Sequence, residues 1–212
     1  MKRSARVRAG VVSAVALVAV GGTILAATAR TSGAGDTGDA GRAVAIARQS
    51  LPASARDVHG DPGGELLSVD LRGDGSAEVL FYDYAADRAH QVTVSEGRVS
   101  ADRSAAGLQP PASSEEARTA FGLASAAVPA LRFTQAFAAQ QGVPLVSPDQ
   151  VQLEAQAWLA AGQAAASSPE ASGCGAHRCV RLRIATAAGT FLDTSDFVVD
   201  LSAGRVLSLE GG

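Results

Sequence analysis

Two stretches of sequence decide the fold, QVTVSEGRVSADR at residues 91–103 and FVVDLSAGRVLSLE at residues 197–210. Each begins with alternating apolar and polar residues, which is the pattern of a half-buried β-strand. Each then continues through a Gly-Arg-Val turn into a short second strand, as in a β-hairpin. The shared order indicates that one structural unit occurs twice in this chain, although two unrelated hairpins would give the same pattern.

The residues before the first hairpin complete a predicted α+β module over residues 39–107. Thr37 or Asp39 can cap a helix that Pro52 ends, since short polar side chains favour the first position and proline cannot continue a helix. The segment Arg72-Gly73-Asp74-Gly75-Ser76 predicts a tight turn between two strands. Strands are expected at residues 65–71, 77–84, 89–95 and 98–102.

The same order is predicted again over residues 108–212, the second α+β module. Ser113 and Glu116 have the spacing of a capping box and begin a helical region that Pro129 interrupts and residues 131–141 continue. Strands are expected at residues 150–159, 178–186, 191–200 and 205–209, with a loop at residues 160–173. The sequence therefore predicts an α+β fold with two modules, each a helix on an antiparallel sheet.

Residues 1–30 have the pattern of an export signal or a membrane anchor. Four cations precede 21 uncharged residues from Ala9 to Ala29, and this run is long enough to cross a bilayer as an apolar helix. The small residues Ala27-Thr28-Ala29 are also typical of a signal-peptidase site, so cleavage and retention both stay open. The following residues 31–38 are small and polar and predict a flexible tether. We expect an extracytoplasmic protein that contacts the membrane through residues 9–29 if the segment is not cleaved.

The charge balance argues against nucleic-acid binding. The chain has 18 basic and 21 acidic residues, and four of the basic residues precede residue 9. Residues 30–212 therefore carry a formal charge of −7. A nucleic-acid-binding surface needs a basic face that neutralises phosphates, and the sequence offers none.

The predicted order of helix and antiparallel meander resembles cystatin-like and PepSY-like modules. The string LQPPASSEEARTAF at residues 108–121 is also similar to the start of the non-catalytic N-terminal domains of bacterial copper amine oxidases. The chain as a whole looks like small exported actinobacterial proteins. These resemblances imply a fold and a tendency to bind other proteins, without a copper site, an oxidase activity or another cofactor.

Cys174 and Cys179 are the only cysteines and lie in the string CGAHRC. Outside the cytoplasm a pair this close in sequence favours a disulfide, and the neighbouring glycines Gly173 and Gly175 allow the tight loop. A metal site with His177 lacks a nearby fourth ligand. A redox-active pair has the wrong spacing, because two residues usually separate such cysteines. We therefore predict a disulfide and assign no residue to a metal or to catalysis.

Other polar residues give weaker signals. Asp70, Asp74 and Glu78 resemble part of a calcium loop, but alternate ligand positions lack oxygen, so a hairpin turn is favoured. His59 and His90 are expected to be solvated. Neither belongs to a recognisable catalytic motif.

Carboxylates and aromatic residues complete the candidates. Asp193 and Asp196 are expected on opposite faces of a strand, unlike an acid–base pair. Phe81 and Trp158 are expected in the core or on a sheet face. Tyr82 and Tyr84 would indicate a binding patch only if both lie on an uncovered sheet face.

These observations favour a non-catalytic cell-envelope protein that binds another protein or restrains an exported enzyme. The alternative is a small-ligand carrier or an enzyme with a site in the cup between helix and sheet. A deep pocket with a buried carboxylate or histidine would favour the alternative. A filled interior and an exposed apolar patch would favour a protein partner.

Overall fold

Two antiparallel sheets packed against helices form the part of the chain that the computed structural model describes, namely residues 34–127, 131–160 and 169–209. This arrangement confirms the predicted α+β class. The predicted signal or anchor and its apolar segment 9–29 lie outside the described residues. Among the described helices, none is long and apolar enough to cross a membrane.

The first sheet has four strands in the order of the sequence and packs against helix α1. The elements are α1 (Ala34–Arg48), β1 (Glu65–Leu71), β2 (Ala77–Asp83), β3 (Arg88–Ser95) and β4 (Arg98–Ala106). Alternate residues of β2 and β3, such as Val79 and Val92, point towards α1 and form a core with Ala43 and Ala47. Alanines on the helix allow a close approach to the sheet.

The second sheet centres on its longest buried strand and packs against two helices. The elements are α2 (Ser114–Ala126), α3 (Leu131–Gln141), β5 (Val151–Ala157), β6 (Cys179–Thr186), β7 (Phe191–Leu192), β8 (Phe197–Asp200) and β9 (Arg205–Ser208). Strand β6 pairs with β5, β7 and β8, and β8 pairs with β9. The rings of Phe121, Phe133 and Phe197 meet at centroid distances of 6.1 and 6.0 Å in the core beneath the helices.

Several predicted boundaries are wrong. The strand predicted at residues 98–102 continues to Ala106 as β4. Helix α1 begins at Ala34 rather than at Thr37 or Asp39, so its first turn includes residues from the predicted tether 31–38. The predicted strand 191–200 is two strands, β7 and β8, separated by a turn. Asp193 causes this turn, because its Oδ1 accepts hydrogen bonds from the Ser195 backbone N–H at 3.0 Å and hydroxyl at 2.7 Å.

The predicted boundary between residues 107 and 108 falls between β4 and α2. The described residues on both sides of it belong to one unit of contacts that spans Ser32–Gly212. Whether residues 39–107 and 108–212 fold as separate domains stays a prediction.

Candidate functional site

A buried ion pair lies where the two sheets meet. Arg178, next to the start of β6, is fully buried, and so is Glu116 on α2. The guanidinium binds the carboxylate in a bidentate manner, with Nε to Oε1 at 2.9 Å and Nη2 to Oε2 at 2.9 Å. Burial would lower the pKa of Arg178, but the hydrogen bonds and charge of Glu116 outweigh it and raise that pKa. The guanidinium is therefore charged inside the protein, where it forms an ion pair with Glu116.

The remaining donors of Arg178 are also used. Its Nη1 donates to the Pro110 carbonyl at 2.7 Å and to Gln109 Oε1 at 3.3 Å. Its Nη2 donates to the Pro111 carbonyl at 3.3 Å. With the two bonds to Glu116, all five N–H groups of the guanidinium have an acceptor. The Pro-Pro turn thus presents carbonyl oxygens to a cation, and no donor is left for a ligand.

Tyr82 of β2 and Tyr84, in the turn that follows β2, lie beside this ion pair. Their rings meet edge to face at 5.0 Å, and the guanidinium of Arg178 lies 5.1 Å from the centroid of Tyr82. The Tyr84 hydroxyl donates to Glu116 Oε1 at 2.6 Å. Burial, together with nearby carboxylates, raises the pKa of both tyrosines. The two tyrosines are adjacent but covered, so they do not form the exposed patch that the sequence left open.

Glu65 at the start of β1 adds a second buried carboxylate. It is 7% exposed, and its Oε1 accepts a hydrogen bond from the Ser113 hydroxyl at 2.8 Å. Ser113 is also the cap of α2, where the predicted capping box with Glu116 is present. Burial raises the pKa of Glu65 above its ordinary value of 4.5. The cap of the second helix is thereby tied to the first sheet.

We call this set of residues the junction. Its members are Glu65, Tyr82, Tyr84, Gln109, Pro110, Pro111, Ser113, Glu116 and Arg178.

The predicted disulfide between Cys174 and Cys179 is present, with a Cα–Cα distance of 5.4 Å. It closes a ring that contains Arg178. The side-chain amide of Gln109 donates to the carbonyls of Gly175 at 3.1 Å and His177 at 3.2 Å, both within the ring. The ring therefore contacts the junction through its backbone as well as through Arg178.

The second sheet has a face that no described element covers at one end. Leu182 and Ile184 of β6 point into the core, so Arg181 and Arg183, which alternate with them along the strand, point to the opposite face. The disulfide ring and Trp158 cover the other end of this face, near Cys179. We call the uncovered part the open face, and it consists of Gln152, Glu154, Gln156, Arg181, Arg183 and Phe191.

An arginine and an aromatic ring dominate the open face. Phe191 is 64% exposed, and the guanidinium of Arg183 lies 5.2 Å from its ring centroid. Arg183 also contacts Glu154 across the strands at 3.3 Å. Arg181 has no ion pair within the described residues, and its Nε has no hydrogen-bond partner there. Arg181, Arg183 and Phe191 line a shallow cavity of about 400 Å³.

A further cavity lies at one end of the cup between α1 and the first sheet. Its volume is about 410 Å³. Ala43, Ala77 and Val94 contribute apolar surface, whereas Arg42 and Glu96 contribute charge. The two buried carboxylates of the junction and His90 do not line it. The cavity thus has space and an apolar floor, and no buried titratable group lines it.

The acidic residues of the turn between β1 and β2 take part in hydrogen bonds and ion pairs of that turn. Asp74 lies in the predicted hairpin turn, and its Oδ1 accepts from the Ser76 backbone N–H at 2.9 Å, while Arg72 pairs with Glu78. These bonds leave the carboxylates engaged within the turn. Within the three described ranges, no group of three His, Cys, Asp or Glu residues is placed to hold a metal ion.

One histidine prediction is wrong. His59 is exposed, as expected, and pairs with Glu115 at 2.9 Å, which raises the pKa of His59. His90 is only 6% exposed, because it lies opposite Phe81 on the face of the first sheet that packs against α1. Its Nε2 has no hydrogen-bond partner among the described residues.

Asp193 and Asp196 do not lie on one strand, since they form the turn between β7 and β8. Trp158 is half-buried beside the disulfide ring, and Phe81 is in the first core. Sequence reasoning missed the ion pair of Arg178 with Glu116. The signal available was an arginine within a disulfide ring and a glutamate in a capping box.

No protein-family model matches this chain, and no curated protein is significantly similar to it. The resemblance to cystatin-like, PepSY-like and amine-oxidase N-terminal modules stays a prediction. The junction, the open face and the cup are therefore the features that bear on function.

Proposed function

We propose that this chain is a non-catalytic, extracytoplasmic cell-envelope protein that binds a partner protein, or restrains an exported enzyme, through the open face. The observation that carries the proposal is the exposed Phe191 with the Arg183 guanidinium over its ring. Aromatic and arginine side chains are the residues that most often contribute large binding energies at protein interfaces. Residues 9–29 would hold the protein at the membrane if they are retained.

The junction supports a structural interpretation of the buried charges. Perturbed, buried ionisable groups often indicate an active site. In this chain Arg178 has all five donors in use, and Glu116 accepts from Arg178, Tyr84 and the Ser113 backbone. None of these groups is left to meet a substrate. The junction therefore supports a rigid body that presents a surface.

The charges of the open face indicate the chemistry of the partner. Arg181 has no described ion-pair partner, and Arg183 has one exposed partner, Glu154. A carboxylate of the partner can bind the guanidinium of Arg181, while an apolar side chain packs on Phe191. We therefore propose a partner surface that combines acidic and apolar residues.

Site-specific photo-crosslinking in the bacterium that makes the protein tests this proposal. Phe191→p-benzoylphenylalanine keeps an aromatic ring on the open face, and Asp102→p-benzoylphenylalanine on exposed β4 is the matched control. We expect one discrete crosslinked partner from position 191 and none from position 102. Adding Arg181→Gln should reduce the product at least about tenfold, in line with the loss of a charged contact at an interface. Adding Arg98→Gln, at the exposed start of β4, should leave it unchanged.

The same products from positions 191 and 102, or no product from position 191, would contradict the proposal. A product that does not depend on Arg181 would contradict the acidic character of the partner.

The cavity of about 410 Å³ supports a second candidate function, the binding of a small ligand in the cup. Charged residues of both signs at its rim and an apolar floor suit a small zwitterion with an apolar side chain. Leucine can serve as the probe in an NMR titration. This function predicts shifts at the amides of Val94 and Gly97 that Ala43→Leu abolishes by filling the floor. The absence of shifts at millimolar leucine would exclude this ligand class.

A further inference from the structure

The disulfide ring has a role that its size alone does not indicate. Cys174 and Cys179 enclose Gly175 and His177, whose carbonyls accept from Gln109, and Arg178, whose side chain enters the junction. These three residues of one short segment thus connect the ring to the junction. Only the last of its residues, Cys179, belongs to a strand.

Hydrogen bonds hold the backbone of this segment, among them those from the Arg178 N–H to the Ser202 hydroxyl at 2.9 Å and from the Leu201 N–H to the Arg178 carbonyl at 2.8 Å. The disulfide adds a covalent link beside Arg178. Gly175 has a φ of +114°, which residues with a side chain rarely adopt. Glycines on both sides of Cys174 make the reduced segment flexible. A guanidinium reaches five acceptors at once only when its backbone is held in place. If the segment moves, Arg178 becomes hydrated and Glu116 is left as a buried charge without its partner.

The sulfur atoms are inaccessible in the folded protein. Cys174 is 5% exposed and Cys179 is fully buried, among Ala171, Val198, Leu207 and Trp158. An oxidising partner protein must reach both thiols, so the bond has to form before these residues pack over it. The same burial excludes a pair that cycles readily in the folded protein, because a reductant must also reach a sulfur atom.

We infer that the Cys174–Cys179 bond is an assembly device, whose formation positions Arg178 and thereby joins the first sheet to the second. In the reduced chain the two sheets form, but the junction stays open. Outside the cytoplasm the two thiols exchange with the disulfide of an oxidoreductase. One S–S bond forms in this chain, one breaks in the oxidoreductase, and two electrons and two protons pass to it as a dithiol. The junction then closes around the positioned Arg178 side chain.

The experiment follows the Nε–H group of Arg178 by NMR in the full-length protein, kept in solution with a mild detergent. Its signal is identified by its loss in Arg178→Lys. In the oxidised protein this proton should exchange slowly with water, because it is buried and bound to Glu116. In Cys174→Ser/Cys179→Ser it should exchange at least about 100-fold faster, while backbone amides of Val92 and Ile184 stay protected.

His177→Ala is the matched control, since it changes the same ring and leaves the disulfide intact. It removes the contact of His177 Nδ1 with Asp200 at 3.0 Å, and slow exchange at Arg178 should remain.

Three outcomes would overturn the inference. Slow exchange at Arg178 in the cysteine-free variant would show that the bond is not needed to position it. Loss of protection at Ile184 as well would show that the bond supports the whole second sheet rather than the junction. Fast exchange in His177→Ala would assign the effect to the loop contacts. Because none of these measurements uses the open face, the result is independent of the proposed partner.

Discussion

The junction and the open face use the same residue types for opposite purposes. Arg178 and Arg183 are five positions apart, and each guanidinium contacts an aromatic ring and a glutamate. Arg178 is fully buried with every donor used, whereas the side chain of Arg183 is 47% exposed and its ring partner Phe191 is more exposed still. The same residue types therefore form a structural contact where they are buried and all their hydrogen-bond donors are used, and a binding surface where they are exposed.

The largest expected effect comes from removing the buried cation. Arg178→Met should lower the free energy of unfolding by about 3–5 kcal/mol, because it leaves Glu116 as an unpaired buried charge. Urea denaturation followed by circular dichroism measures this change. Arg183→Met is the matched control on the open face and should change the free energy by about 1 kcal/mol or less. Equal effects of the two substitutions would remove the distinction between the two regions.

A smaller effect is expected from opening the disulfide ring. Cys174→Ser/Cys179→Ser should lower the free energy of unfolding by about 2 kcal/mol or somewhat more, since a ring of six residues restricts the unfolded chain only modestly and the open junction adds to this loss. Calorimetry of the oxidised protein and the variant measures the difference. When combined with Arg178→Met, the cysteine substitutions should cost less than they do alone, because the ring then has no cation to position. If the two free-energy changes are fully additive, the ring does not act through the junction.

The dependence of stability on pH should also differ between the junction and the open face. Burial raises the pKa of Glu65, so the folded protein holds this proton more tightly than the unfolded chain does. The stability from this group is present below the unfolded-state pKa and is lost as pH rises through the folded-state value. Glu65→Gln keeps an acceptor for Ser113 and removes the titration. The stability of Glu65→Gln relative to the original protein should therefore increase from acidic to neutral pH.

Urea denaturation of both proteins at several pH values measures this difference. A difference that is constant with pH would show that Glu65 titrates alike in the folded and unfolded states. On the open face, Arg183→Gln should give no such change with pH.

The smallest effect on stability is expected at the most exposed aromatic residue. Phe191→Ser should change the melting temperature by no more than a few degrees, because a 64% exposed side chain loses little on removal. Differential scanning fluorimetry measures it, with Phe197→Ser in the core as a strongly destabilised comparison. A large loss for Phe191→Ser would mean that the open face supports the fold and is not free for a partner.

Local patterns in the sequence were sufficient for most of the fold. Strand β1 has the predicted bounds of residues 65–71, and the capping box at Ser113 and Glu116 is present. These features depend on residues within a few positions of each other, where alternation and turn chemistry act. The error at residues 191–200 also has a local cause, the turn formed by Asp193. The early start of α1 was not predictable in this way, because Gly38 and Gly41 disfavour a helix.

The candidate sites could be predicted only in part. The disulfide was predictable because its cysteines are near in sequence and are the only two. The ion pair joins residues 62 positions apart, and its energy comes from burial that depends on how the two sheets meet. The sequence also gave no indication of which end of the second sheet stays uncovered. Tertiary packing determines both, so sequence periodicity does not reveal them.

Residual dipolar couplings of the backbone amides test the central claim, that the saturated junction joins both sheets into one rigid body that presents the open face. They are measured on the full-length oxidised protein, separately for the strands β1–β4 and β5–β9. We predict that one alignment tensor fits both sets and that Arg178→Met requires two. Two different tensors for the unmodified protein would contradict the account, because the sheets would then move independently despite the buried ion pair.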